Sequence, residues 1–277
     1  MAKSEAEAEI EKIKILEERI RAPSIWGQLP CGIRFEDLQE TRYDEAIRLL
    51  EDNYLTEEVT YRSVNIVSDK EGSEEFVNNV RIWMKDKMSL AAVNEELNEL
   101  IGVLIMRIQE KSSFSRTFSR VKLTYNINYT NIMRFYNEIE KPVNLYQLLD
   151  IRKYLKVYVI AVKTDFRHRG LAKQMLKSAI SLSASANVPA IAGIFTAQRI
   201  QDKAEELGFV KLNEISYKNF VVNDKVIFTG TAVENQAAAL MAYRIPNIQE
   251  TPELPTQQIS RFNITASHDD KNIPEAK

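Results

Sequence analysis

The chain is 277 residues long, with 44% apolar and 27% charged residues, an ordinary balance for a folded globular protein. Its formal net charge of −2 argues against a general nucleic-acid binder, and a single cysteine, Cys31, excludes an internal disulfide framework and fits a reducing, cytoplasmic setting. No apolar run reaches the roughly 18 residues of a membrane span, and the charged N-terminus lacks the apolar core of a leader.

Residues 1–23 place Ala6, Ile10, Ile13, Leu16 and Ile20 at helical spacing before Pro23, which predicts a helical extension packed on the body or pairing with a partner. "GIRFEDL" predicts a short strand, and "TRYDEAIRLLEDNY" an amphipathic helix with Ala46, Leu49 and Leu50 on one face. "LTEEVTYRS" follows, then a second helix around "EEFVNNVRIWMKDKM". "LAAVNEELNELIGVLIMRIQE" reads as a hairpin of two strands with a polar turn. "KSSFSRTFSRVKLTYNIN" is an irregular insertion mixing Phe114, Phe118 and Tyr125 with Arg116, Arg120 and Lys122, a plain surface loop or, as a minority reading, a nucleic-acid contact. "TNIMRFYNEI" and "NLYQLLDIRKY" are expected to be helical, and "LKVYVIAVKTDF" is β-rich. A helix through Ala186, the strand "PAIAGIFT", the helix "AQRIQDKAEELGF" and three strand-like runs carry the chain to Ile245. Residues 24–245 thus form one mixed α/β domain with a β-α-β-α unit at its centre. Residues 246–277 hold four of the 8 prolines and no glycine, the composition of a disordered tail.

The stretch "DFRHRGLAKQML" carries the chemistry. A strand ending at Val162 delivers the chain to Arg167–Gly170, and a helix begins near Leu171. Helix N-termini expose unpaired N–H groups and a partial positive charge, so they bind phosphate readily. Gly170 lets the backbone approach an anion, and Arg167 and Arg169 add charge. Neither the GxxxxGK[ST] phosphate loop nor the GxGxxG dinucleotide loop is present.

What remains, Arg167-x-x-Gly170-x-Ala172, resembles the R/Q-x-x-G-x-G/A pyrophosphate loop of the GNAT superfamily of acetyl-CoA-dependent N-acetyltransferases. The helix after it (Leu171, Met175, Ala179, Leu182, Ala186), the strand "PAIAGIFT" and the exit Leu207-Gly208-Phe209 carry the same resemblance. "LGFVKLNEISYKNFVVNDKVIF" and "FEDLQETRYDEAIRLLEDNYLTEEVT" are similar to the insect arylalkylamine (dopamine) N-acetyltransferase branch. The likeness spans residues 33–245 and is loosest over 63–154. It implies a single twisted, mostly antiparallel sheet with a central splayed pair of parallel strands, flanked by helices. Coenzyme A would lie between the strand around Ile160–Val162 and the strand around 194–196. Backbone groups of Ile160, Ala161 and Val162 would hold the pantetheine arm, and Arg167, His168, Arg169, Gly170, Leu171 and Ala172 the pyrophosphate. The insertion would be a flap over the amine site.

Acetyl transfer to an amine needs a base, because an alkylamine is mostly protonated at neutral pH. With only His168 in the loop and His268 in the tail, a carboxylate is the better candidate. The resemblance places Glu58 of Glu57-Glu58-Val59-Thr60 on the catalytic position, with Glu57 as the alternative; valine stands where the branch commonly has proline. The branch's two hydroxyl residues fall on Thr196 and Ile200, so Thr196 alone could serve the cofactor or the leaving thiolate. Where other members carry a tyrosine acid, this chain has Ala204. Cys31, expected to precede the first strand, is read as a bystander. The expectation is therefore a cytoplasmic enzyme, a monomer or weak homodimer, moving an acetyl or longer acyl group from acetyl-CoA to a small primary amine. No metal, nucleic acid or membrane is expected to take part. The rivals are a peptide or lysine N-acetyltransferase and a catalytically weak acyl-CoA-binding protein.

Overall fold

The computed structural model describes residues 22–111 and 126–248. The expected N-terminal helix of residues 1–23, the insertion residues Phe114, Arg116, Phe118, Arg120, Lys122 and Tyr125, and the tail of residues 246–277 lie wholly or almost wholly outside them.

In chain order the described elements are β1 (Ile25–Leu29), β2 (Ile33–Asp37), α1 (Tyr43–Asn53), α2 (Val59–Ser63), α3 (Lys70–Met84), β3 (Leu90–Asn94) and β4 (Glu99–Glu110). Then come α4 (Ile127–Glu140), α5 (Leu145–Leu148), β5 (Lys153–Val162), α6 (Leu171–Ser185), β6 (Ala190–Phe195) and α7 (Gln198–Glu206). β7 (Val210–Ser216), the short pair β8 (Val221–Val222) and β9 (Lys225–Val226), and β10 (Ala237–Arg244) complete the series. Eight strands make one sheet in the order β1-β2-β3-β4-β5-β6-β10-β7. Every neighbouring pair is antiparallel except β5–β6.

Helices cover both faces, and the strands alternate between two cores. Ala91, Val93, Val103, Ile105, Val159 and Ala161 face α1, α3 and α4. Leu90, Ala92, Leu104, Leu155 and Val157 face the Leu171, Met175, Leu176, Ala179 and Leu182 side of α6. β4 is covered on both sides, so Leu100–Met106 reads as an unbroken apolar run rather than an alternating one.

Three local expectations are corrected. β1 was not foreseen: it is an edge strand with Ile25 exposed and a bulge before Gly27, so it lacks an alternating signal. Cys31 therefore sits, exposed, in the turn between β1 and β2 and not before the first strand. The expected helix over 144–154 is one turn, capped by Asn144 at the Gln147 N–H and stopped by Asp150 at a φ of 49°. The chain beyond it pairs Lys153 and Tyr154 with Glu110 and Gln109 of β4, and sheet pairing overrides local helix propensity. No helix among the described residues is long and apolar enough to cross a membrane.

Candidate active site

The site begins where β5 and β6 part. They pair in parallel only at Leu155↔Ile191, Lys156↔Ala192 and Val157↔Gly193. Gly193 permits that last contact, because a Cβ there would stand 2.8 Å from the Val157 Cβ. On the other edge of β5, Val159 pairs with Ile105 and Val157 with Met106, leaving Tyr158 as an extra, bulged residue. A bulge bends and twists its strand, and here it coincides with the parting of β5 from β6. Trp83 stacks on the Tyr158 ring with centroids 4.3 Å apart, and Gln109 donates to its hydroxyl at 2.9 Å.

Beyond the bulge the ladder decides which backbone groups face the gap. Lys163 N–H donates to the Ile101 carbonyl at 2.8 Å, while Val162 stands opposite Gly102 and Ala161 opposite Val103. In an antiparallel ladder this makes Lys163 and Ala161 the residues bonded to β4. The N–H and C=O groups of Ile160 and Val162 therefore turn toward the gap, and those of Ala161 do not. The expectation that all three residues offer backbone groups to the gap is thus reduced to two.

β5 ends in the loop that leads to α6. His168 has a φ of 62° and Gly170 a φ of 78°, so two left-handed residues fold the loop ahead of the helix. No side chain caps α6, its first turn has no acidic residue, and a Cβ on Gly170 would meet nothing within 4 Å. An open, uncapped helix N-terminus is the physical requirement for binding an anion. Arg169 is exposed, donating to the Asp165 carbonyl and lying over the Phe166 ring. His168 faces Arg199, from the first turn of α7, at 3.3 Å. Arg167 is engaged differently. Its guanidinium donates to the Val162 carbonyl at 3.1 Å and the Asn53 carbonyl at 2.8 Å, and pairs with Glu57 at 3.2 Å. Asn53 in turn accepts from the Thr164 N–H at 3.0 Å. Arg167 thus fastens the loop to the end of α1, and Glu57, the alternative base, is the partner of this strap.

Glu58 is held apart from these contacts. It is the N-cap of α2, 9% exposed, and its Oε2 accepts from the Thr60 N–H at 2.8 Å, the Tyr61 N–H at 2.9 Å and the Thr60 hydroxyl at 2.6 Å. Its Oε1 is buried with no partner. Burial pushes the Glu58 carboxyl above the usual carboxylate range, while Thr196, Thr60 and the Tyr61 N–H pull it back. The Thr196 side chain thus lies close enough to influence the carboxyl, although no bond of normal geometry reaches Oε1. Thr196 follows directly on β6, and its carbonyl accepts from the Tyr217 hydroxyl at 2.6 Å. The phenols of Tyr54, Tyr61, Tyr136 and Tyr217 surround the carboxyl, and burial holds all four well above the ordinary tyrosine range.

No protein-family model matches the chain, and no curated protein does. Solved structures do. Arylalkylamine N-acetyltransferase 7 from the yellow fever mosquito superposes with a TM-score of 0.73 at 22% identity, over 80% of this chain and 95% of that one. Arylalkylamine N-acetyltransferase 2 from Aedes aegypti gives 0.71 at 20% identity, over 77% and 99%. The Drosophila melanogaster polyamine N-acetyltransferase, which forms N-acetylagmatine, gives 0.61 at 10%, over 76% and 99%. The chain has the GNAT fold.

Within the GNAT fold the sequence-derived residues fall into two groups. Thr196, the residue after β6, lies near enough to influence the buried Glu58 carboxyl, and the backbone of Ile160 and Val162 faces the gap. His168, Arg169, Gly170, Leu171 and Ala172 gather at the mouth of α6. Ile200 and Ala204 pack into the core under α6 and α7, and Ala204 is fully buried. Thr60, Tyr136, Tyr217 and Arg199 were not foreseen. Tyr136 is 76 residues from Thr60, and no spacing rule joins them. Among the described residues no group of three or more His, Cys, Asp or Glu side chains could hold a metal.

Proposed function

We propose that this protein transfers an acetyl group from acetyl-CoA to a small primary amine of the arylalkylamine kind, directly and with Glu58 as the base. The observation that carries the reading is the buried Glu58 carboxyl, whose Oε1 has no partner and which is influenced by Thr196, the residue after β6. The cofactor's shape fits what surrounds it. The edge of β5 offers the N–H and C=O of Ile160 and the N–H of Val162, whose carbonyl is taken by Arg167, and suits an extended pantetheine arm; the uncapped α6 with the space above Gly170 suits a pyrophosphate. Arg169 and Arg199 add charge at the same mouth, while Arg167 ties the loop to Val162, Asn53 and Glu57.

Bound acetyl-CoA supplies the acetyl group as a thioester. The chain's part is to receive the amine as a cation, remove its proton onto Glu58 Oε1, directly or through one water, and hold the free amine against the carbonyl. The new N–C bond forms as the C–S bond breaks, and the amine's second proton accompanies the thiolate, for which Thr196 offers a hydroxyl. A raised carboxyl is a stronger base than an ordinary glutamate, and four protonated phenols around it give a cation a π-rich approach.

Similar structures carrying the names of arylalkylamine and polyamine acetyltransferases support a small amine over a peptide or lysine side chain as the acceptor. The second reading, a catalytically weak acyl-CoA-binding protein, draws on Ile200 and Ala204, which pack into the core and leave Thr196 as the branch's one remaining hydroxyl. A panel of small amines with acetyl-CoA, read by release of free CoA thiol, decides between them. Turnover that Glu58→Gln abolishes supports the transferase; tight CoA binding with no turnover supports the binding protein.

A further inference from the structure

The carboxyl of Glu58 has two unlike oxygens, and the difference has a structural cause. Oε2 accepts three hydrogen bonds, two from backbone N–H groups and one from the Thr60 hydroxyl, while Oε1 accepts none. Two backbone donors are enough to cap a helix of five residues, so the hydroxyl bond is additional to the cap. Thr60 is fully buried, and its hydroxyl lies 2.8 Å from the Tyr136 hydroxyl of α4. A threonine hydroxyl has one proton. It is given to Glu58 Oε2, so toward Tyr136 the Thr60 Oγ1 can only accept. The direction of the chain follows: Tyr136 donates to Thr60, and Thr60 donates to Glu58. Burial keeps the Tyr136 phenol protonated and so keeps it a donor.

We infer that Thr60, held by Tyr136, is a positioning residue for the base: it occupies Oε2 and leaves Oε1 as the one carboxylate oxygen able to take the amine's proton. This rests on the reading of Glu58 as the base. The hydroxyl fixes the rotation of the carboxyl, which two backbone donors on the same oxygen would fix less firmly. It also favours the charged form, since a donor to a carboxylate stabilises it. The groups facing Glu58 are the phenols of Tyr54 at the end of α1, Tyr61 in α2, Tyr136 in α4 and Tyr217 after β7. Of these, Tyr136 is the one joined to it through a second hydroxyl.

The test compares Thr60→Val, which keeps shape and both backbone donors, with Thr60→Ser, which restores the hydroxyl, and with Tyr136→Phe. Carbon-13 titration of the glutamate side-chain carboxyls, with Glu58 assigned from Glu58→Gln, reads the base without turnover. Rates with acetyl-CoA and tyramine or agmatine as probe amines read it through kcat/KM against pH. Thr60→Val is expected to move the Glu58 titration and the acid limb to higher pH, with kcat/KM on that limb falling roughly tenfold to a hundredfold, the size of one hydrogen bond to a charged group. Thr60→Ser is expected to recover both, and Tyr136→Phe to show a smaller shift in the same direction. A Thr60→Val protein that titrates like the wild type, or a Thr60→Ser protein as impaired as Thr60→Val, overturns the inference. A wild type that turns over neither probe counts against the proposed function instead, and the carboxyl titration still decides the role of Thr60.

Discussion

Gly170 separates backbone strain from ligand contact, which makes it the most informative position to perturb. Its φ of 78° lies in the left-handed region, where an L-residue costs about 1–2 kcal/mol. A Cβ there would touch nothing within 4 Å, so the free protein adds no steric cost to that strain. Gly170→Ala should therefore lower Tm by roughly 2–8 °C, taking about 2–4 °C per kcal/mol for a domain of this size. Gly170→Asn should lose less, because asparagine tolerates the left-handed region. CoA affinity should behave differently. Both side chains would stand in the space a pyrophosphate must enter, and losing one backbone hydrogen bond to a charged group weakens binding roughly tenfold to a hundredfold. Scanning calorimetry and isothermal titration with CoA on the same preparations measure both. If Gly170→Asn keeps Tm and still binds CoA as the wild type does, no anion rests on this helix N-terminus and the cofactor placement is wrong.

Glu58→Gln should lower kcat by roughly 10²–10⁴-fold, with partial recovery at high pH, where more of the amine arrives neutral. The same substitution should raise Tm at neutral pH. A carboxyl raised in the folded state makes stability fall as pH climbs from the ordinary glutamate range through its folded value, so the gain should vanish in acid. Asp69 has the opposite sign. Hydrogen bonds from Asn126, the Gly72 N–H and Asn128 hold it below the ordinary aspartate value of 3.8, so its contribution is present above that pH and lost as pH falls through the folded value. Asp69→Ala should cost about 1 kcal/mol at pH 7 as a lost cap, a gap that narrows in acid denaturation series below pH 4. Cys31→Ala should leave turnover unchanged, since the thiol is exposed in the β1–β2 turn; an acetyl group found on Cys31 by mass spectrometry would require a different mechanism.

The sequence alone determined the central unit of this protein. The apolar run ending at Val162, the glycine at 170, and the helical period through Leu182 lie within some thirty residues, and local patterning is enough to read them. Glu58 and Thr196 were reachable for a different reason, through resemblance to a family and not through any local rule. Only the tertiary structure decided what those residues can do. That Arg167 is a strap to Asn53 and Glu57, rather than a free cation, depends on the end of α1 lying under the loop. That Ala161 turns its backbone to β4 depends on ladder register. That Glu58 Oε2 accepts from Thr60, itself met by a tyrosine from α4, while Oε1 is buried without a partner, depends on how α2 packs on α4. Hydrogen-bond direction and strand register join residues far apart in the chain, and no period within a single segment encodes them.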